Sequence, residues 1–233
     1  MTFTSISIVG RGRVGAALAA RLEGLVPSRA VGRDLDVGDA DLVLVCVPDR
    51  AIGEVAAALP PGPWIAHTSG ATTLAALDPH ERRFSLHPLQ TFTHARGPEQ
   101  LDGAWAALSG ETPEALDAAG ELARLLDVHA FELADEDRPL YHAGATFAAS
   151  FLVTVHDAAA QLFATAGAPP EALVPLMRRT MENGFEPTGP FIRGDTATVE
   201  RHLAELRGRR PELEPLYRAL AEATTAAATA TPA

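Results

Sequence analysis

The 233-residue chain contains no lysine; each of its 19 basic residues is an arginine. That excludes a Schiff-base lysine, a lysine general acid and the lysine of a P-loop. A proton donor in this protein therefore has to be a histidine, a tyrosine or a carboxyl group. Cysteine is almost as scarce: Cys46 alone, inside the apolar run LVLVCVP, which reads as a buried, reduced thiol rather than a disulfide or a nucleophile. Positive charge is in deficit as well, with a formal net charge of −11. A nucleic-acid partner needs a basic stripe against its phosphates, and only RGRR at Arg207–Arg210 is dense in positive charge, a run that reads as a solvated turn between helices. The start MTFTSISIVG has no basic n-region, and no uninterrupted apolar run approaches the roughly 20 residues that cross a bilayer. A soluble, cytoplasmic protein with neither a nucleic-acid nor a membrane partner is expected.

What is present is a regular alternation. Short apolar runs (SISIV, RAVG, DLVLVCVP) alternate with Ala-rich helical stretches such as VGAALAARLEGL and AIGEVAAAL. This is the pattern of βαβ units in a mostly parallel sheet covered on both faces. WIAH at Trp64–His67, RFSLH at Arg83–His87, AWAAL at Ala104–Leu108 and VHAFEL at Val128–Leu133 add further strands, the last two separated by a helix over GETPEALDAAGELARLL. After residue 134 the β-like runs stop. The chain thus divides into an α/β domain with a mostly parallel sheet over residues 1–134 and an all-α domain over residues 135–233. The first helix of the second domain starts at ADEDRP, with Asp135 or Asp137 as cap and Pro139 in the first turn, and runs to Ala166. At 1.5 Å per residue it spans about 40 Å, longer than a unit of this size accommodates, so a homodimer built through the C-terminal helices is expected. Residues 223–233, ending in TTAAATATPA, offer little to pack and are expected to fray.

Between the first strand and the first helix stand Gly10, Arg11, Gly12, Arg13, Val14 and Gly15, a GxGxxG turn. Its glycines allow the tight turn, the approach of backbone to a pyrophosphate and close packing of the helix. Its place after a strand and before a helix of small residues makes dinucleotide binding the expectation. The second strand should end near Val31 and is followed by Gly32-Arg33-Asp34. Arg33 suits the 2′-phosphate of NADP, with Arg11 and Arg13 adding positive charge, whereas Asp34 is the feature that would suit NAD; NADP is favoured.

Ligands of open α/β sheets sit outside the carboxyl ends of the strands. His67 closes WIAH ahead of Thr68-Ser69, His87 closes RFSLH ahead of Pro88, and Pro48 follows the third strand on the same rim. No pair of the eight histidines has metal-ligand spacing, so no metal site is expected. In LYHAGATFAASF, His142, Thr146 and Ser150 fall at i, i+4 and i+8 and would form one polar stripe of a regular helix, facing the strand-end histidines.

The ordered set GRGRVG, VPD, HTSGA, SLHPLQTF, LYHAGATFAASF and TGPFIRGD resembles the Rossmann-like NADP-binding proteins that carry a C-terminal helical domain of unknown function, relatives of ketopantoate reductase, pyrroline-5-carboxylate reductase and 6-phosphogluconate dehydrogenase. The resemblance runs from about Ser5 to Ala221 and departs from the family pattern at Ala149-Ser150, where the family helix reads Ser-Asn. It implies an NADP-dependent oxidoreductase that moves a hydride between NADPH and a small carbonyl acid, with ketopantoate (2-dehydropantoate) the leading substrate. An imine reductase of the pyrroline-5-carboxylate type, a prephenate dehydrogenase-like enzyme and a non-enzymatic NADP-binding redox sensor are the alternatives. The nicotinamide would lie near Pro48, Thr68 and Ser69. Proton donors would come from His87, His142, Tyr141 and His67, and Thr146, Ser150 and Arg193 would hold a carboxylate-bearing substrate.

Overall fold

The computed structural model describes residues 2–230. Seven strands, β1 (Ile6–Val9), β2 (Ser28–Val31), β3 (Leu42–Val45), β4 (Trp64–His67), β5 (Arg83–Leu89), β6 (Trp105–Ser109) and β7 (His129–Glu132), form one sheet in the order β2-β1-β3-β4-β5-β6-β7. Each falls on an apolar run expected from sequence. All neighbours pair parallel except β5 and β6, which are antiparallel. The α/β class is thus as expected.

Every residue of β1 and β3 is buried, because both faces of the sheet are covered. On one face Ile6, Ile8, Leu42 and Leu44 join Leu18 and Leu22 of α1 (Arg13–Leu22) and Leu122 and Leu126 of α3 (Pro113–Leu126). The other face joins Val9, Val43 and Val45 to Ile52 and Ala56 of α2 (Ile52–Ala58) and to Leu74 and Leu77 of a 3-10 turn. Burying one such aliphatic side chain is worth about 1.5–3 kcal/mol, so the period-2 alternation of each strand fixes which residues face which layer. Local signals agree: Thr112 caps α3 by accepting from the amide of Ala115 (3.2 Å), and the helix ends at Asp127 in the left-handed region.

The order in which successive strands are added reverses between β1 and β3, and the crevice at such a switch is where doubly wound sheets hold ligands. Strand register brings the carboxyl ends into line: Val9 pairs with Val45, Val45 with His67, and His67 with Ser85.

The chain forms two compact units, Met1–Ala149 and Ser150–Ala233. The division falls inside a helix, not at residues 134/135 as anticipated from the loss of β-like runs. Among the described residues the second unit is all-α, with α5 (Leu152–Ala166), α6 (Leu173–Glu182), α7 (Thr196–Arg209) and α8 (Glu214–Ala230). The anticipated fraying is corrected for residues 223–230, which continue α8 because Ala-rich sequence propagates helix readily; residues 231–233 lie outside the described residues. RGRR is likewise no free turn, since Arg210 bonds to the Thr165 hydroxyl at 3.1 Å and pairs with Glu212 at 2.6 Å.

A 3-10 turn (Asp135–Asp137), α4 (Arg138–Thr146), a π-helical segment (Phe147–Phe151) and α5 run on as one helix. Its 32 residues, Asp135–Ala166, have a mean hydropathy of 1.3 in their most apolar window, so it is long and apolar enough to cross a membrane by composition. No uninterrupted apolar run of that length occurs in it; isolated polar residues interrupt the run without lowering its average. Its first turn is nonetheless anchored in the sheet unit, where Arg138 is fully buried. Neither anticipated cap operates. Asp137 at the N-cap makes no side-chain cap bond, and the Asp135 carboxylate reaches away to accept from the amide of Leu74 at 2.9 Å.

Candidate functional site

The glycine turn is built by close contact. Gly10 has φ of 113°, and a Cβ there would lie 2.3 Å from the Cys46 carbonyl oxygen; at Gly15 it would lie 2.1 Å from the Gly10 carbonyl oxygen. Neither position accepts another residue. Gly12 differs, with open space where its Cβ would be. Helix α1 starts there with no capping side chain and no acid in its first turn, which leaves its first amides and the positive end of its dipole facing outward. These features fit a dinucleotide pyrophosphate. Val14 is half-buried and Arg11 is exposed, while exposed Arg13 reaches the Phe92 carbonyl at 3.4 Å. Arg33, in the turn after β2, is exposed and forms no ion pair among the described residues.

Cys46 caps the end of β3 directly beneath this turn. Burial pushes its thiol up to about 12, partly offset by a hydrogen bond with the Thr68 hydroxyl; it is an inert packing group. Pro48 next to it is exposed on the rim. Ser69 is spent on its own turn: its hydroxyl accepts from the amides of Ala71 (3.2 Å) and Thr72 (3.0 Å) and bonds to the Thr72 hydroxyl at 2.9 Å. Ser69, expected beside the nicotinamide, thus has its hydroxyl already paired within the turn.

Around the following glycine the polar groups gather. A Cβ at Gly70 would lie 2.5 Å from Cδ2 of His142 and 2.9 Å from the ring of His87, so only glycine lets the two imidazoles close on the loop. The His87 and His142 rings cross edge to face, centroids 6.0 Å apart. Nδ1 of His87 is 2.8 Å from the hydroxyl of Tyr141. Burial, then the charge of Arg138 and the neighbouring His142, pull His87 down to about 4, with Asp49 opposing. Tyr141 moves the other way, raised by burial against the pull of Arg138. At neutral pH the pair is a neutral imidazole beside a protonated phenol.

His67 is not part of this group. It is completely buried, its Nδ1 accepts from the Ser69 amide at 3.3 Å, and burial with the charge of Arg138 takes it down to about 3. A side chain with no exposed surface cannot meet substrate, so its expected catalytic role is corrected to a loop anchor. The middle member of the expected polar stripe is paired with the helix itself. Thr146 returns its hydroxyl to the His142 carbonyl at 2.9 Å, as helical threonines do. A π-helical segment, Phe147–Phe151, then takes the place of regular α-helix around Ser150. Ser150 is exposed in the second unit, and so is Arg193, whose guanidinium forms no ion pair among the described residues.

Arg138, unremarked in the sequence except as a helix start, organises the site from below. Its Nε donates to the Thr72 carbonyl (2.8 Å), Nη1 to the Ser109 hydroxyl (2.9 Å) and Nη2 to the Ser69 carbonyl. The signal that could have found it is the acid–arginine spacing of Asp135 and Arg138 just ahead of Tyr141-His142.

A doubly wound sheet with a glycine turn at its switch point and an all-α second unit defines a Rossmann-type protein. Residues 104–224, 121 of 233, match the family described as a domain of unknown function (DUF2520), and the chain belongs to that family. No curated protein matches the sequence. Among solved structures, the "putative NADP oxidoreductase BF3122" of Bacteroides fragilis shares 20% identity over 95% of this chain and 98% of its own, with a TM-score of 0.80. Protein TM1727 of Thermotoga maritima shares 22% over 96% and 98%, TM-score 0.76. The 1-pyrroline-5-carboxylate reductase of Streptococcus pyogenes shares 16% over 99% of both chains, TM-score 0.62. At such identities the likeness is one of fold.

Proposed function

We propose that this protein is an NADP-dependent oxidoreductase that transfers a hydride between NADPH and a small carbonyl acid, with 2-dehydropantoate as the leading substrate. The observation that carries the reading is the Tyr141–His87–His142 cluster closed on the loop that follows β4, in the sheet whose switch point holds the uncapped glycine turn. Gly10, Gly12 and Gly15 would hold the pyrophosphate and Arg33 the 2′-phosphate, with Arg11, Arg13, Pro48 and Thr68 around them. Bound there, the nicotinamide supplies the hydride.

Tyr141 is the better proton donor of the cluster. His87, held near about 4, has no second proton to give at neutral pH, whereas burial keeps the phenol protonated. As hydride reaches the carbonyl carbon, the new alkoxide takes the Tyr141 proton; His87 Nδ1–H donates to the phenolate left behind, which solvent reprotonates. Arg193 is the candidate for the substrate carboxylate.

The whole-chain likeness to a pyrroline-5-carboxylate reductase supports a second reading, reduction of a cyclic imine acid by the same groups. The deciding experiment follows NADPH oxidation with 2-dehydropantoate and pyrroline-5-carboxylate, and NADP reduction with prephenate. Turnover with the first supports the leading reading. Stoichiometric NADPH binding without turnover on any of them favours a redox sensor and overturns the enzymatic reading.

A homodimer through the C-terminal helices belongs to the same proposal. Leu140, at 77% exposure, and Val153, at 60%, are apolar residues of the long helix that a second copy would cover. Sedimentation of wild type against Val153→Glu tests it.

A further inference from the structure

Strand register sets a row of buried polar side chains across the sheet. His67 of β4 pairs with Ser85 of β5, and Ser85 with Ser109 of β6. Paired residues of neighbouring strands point to the same face, here the face opposite that of Trp64, Phe84 and Leu108. His87, two residues beyond Ser85, shares it. All three members of the row are buried, at 0–2% exposure, in positions where aliphatic side chains would otherwise continue the core. A row of this kind is costly to bury unless something polar uses it.

Its far end is used by a guanidinium with no exposed surface, while among the described residues Ser85 Oγ and His67 Nε2 have no hydrogen-bond partner. Arg138 bonds to Ser109 at the end of the row and to the Ser69 and Thr72 carbonyls of the loop after β4. Asp135, 3.9 Å from its Nε, ties the same loop through the Leu74 amide. The start of the helix is thereby fastened to the Ser69–Leu74 segment at three backbone atoms, the Ser69 and Thr72 carbonyl oxygens and the Leu74 amide, and α4 carries Tyr141 and His142 one turn further on. Arg138 is stabilised by the carboxylate of Asp135 against the cost of its burial.

We propose that Arg138 is the positioning residue of this site: its guanidinium locks the Ser69–Thr72 turn to β6 and presents a fixed positive charge to the Tyr141–His87 pair. The inference rests on the reading of Tyr141 as proton donor. Two effects follow. The lock sets where Gly70 lies, and hence how closely His87 and His142 approach. The charge disfavours a second proton on His87 and steadies the phenolate that Tyr141 becomes. The other charged or titratable groups around His87 are His142 and Tyr141 from α4, Asp49 from the turn after β3 and His67 from β4. Of these Asp49 alone acts in the opposite sense on His87.

The test separates lock from charge and needs no substrate. Side-chain NMR titration of His87 is run on the wild type, on Arg138→Gln, which removes the charge, and on Arg138→Lys, which keeps the charge but lacks the planar fork. In Arg138→Gln the His87 midpoint should rise by about one unit toward its ordinary value, and in Arg138→Lys it should stay low. Hydrogen exchange at the Ala71 and Thr72 amides should quicken about tenfold or more in Arg138→Lys, because lysine cannot hold two carbonyls and a hydroxyl together. A folded Arg138→Gln with an unmoved His87 midpoint overturns the charge, and a folded Arg138→Lys with wild-type exchange overturns the lock. Should Arg138→Gln not fold, the Arg138→Lys exchange and a wild-type His87 midpoint well below its ordinary value decide; a wild-type midpoint near about 6.5 overturns the proposal. Loss of turnover in every substrate assay would sink the proposed reaction and leave these titrations standing. If turnover is found, the acid limb of its pH profile should move with His87 in Arg138→Gln and be restored in Arg138→Lys.

Discussion

The hydroxyl of Tyr141 and Nδ1 of His87 lie 2.8 Å apart. One residue comes from an internal strand and the other from a helix fifty-four positions later in sequence. A phenol held by a neutral imidazole keeps its own proton available for a partner on its other side. Removing only that hydroxyl, in Tyr141→Phe, should lower turnover by about 10²–10⁴-fold, the range for loss of a positioned acid. The affinity for NADPH should stay within about twofold, since the glycine turn is untouched. Single-turnover NADPH oxidation and cofactor titration measure the two separately. Unchanged turnover would take Tyr141 out of the chemistry and return the role to His142.

The glycine turn gives a contrast within one motif. Gly12→Ala adds a methyl group into open space, so the protein should fold with a melting temperature close to wild type and yet bind NADPH at least about tenfold more weakly, because the methyl occupies the approach of the pyrophosphate. Gly15→Ala places its methyl against the Gly10 carbonyl and should lose both stability and binding. Thermal melts beside fluorescence titration of NADPH read this out. Equal melting losses in the two variants would contradict the geometry.

How much of this was legible in the sequence depends on whether a feature is local. Each strand followed from its own apolar run, and the glycine turn from its position between strand and helix. His87 and His142 could be marked as candidates, one at a strand end and one on a helix. The clamp that Arg138 makes could not be read, because its partners Ser69, Thr72 and Ser109 are 69, 66 and 29 positions away and nothing in their local pattern distinguishes them. His67 misled for a related reason: a strand-end histidine looks the same in sequence whether the next loop exposes it or folds over it. The π segment in FAASF was not legible either, because it carries no proline or glycine to announce it.

Arg33 tests the cofactor. Because it is exposed and free of ion pairs among the described residues, Arg33→Ala should leave the fold intact. A charge-assisted bond to a phosphate is worth about 1.5–3 kcal/mol, so NADPH affinity should fall by roughly tenfold or more while NADH affinity changes little. Calorimetric titration with both cofactors decides. Equal losses would remove the 2′-phosphate assignment, and Asp34 would then mark the ribose of NAD.

Buried His67 and half-buried His87 make stability depend on pH in a defined direction. Their folded values, about 3 for His67 and about 4 for His87, lie below the ordinary value of 6.5, so the unfolded chain binds protons that the folded chain refuses. Between these limits unfolding takes up protons, and stability rises with pH. The contribution is complete above about pH 6.5 and declines as pH falls, until the folded side chains protonate near about 4 and about 3. Near pH 5 these side chains should account for an uptake of about two protons per unfolding event. Carboxylates titrate lower, so a fall in melting temperature already visible between about pH 6.5 and 5 belongs to the histidines. His67→Gln should cut the slope in that interval by about half, whatever its effect on absolute stability. A slope unchanged by His67→Gln would mean that the acid sensitivity lies elsewhere and that His67 is not held neutral in the folded protein.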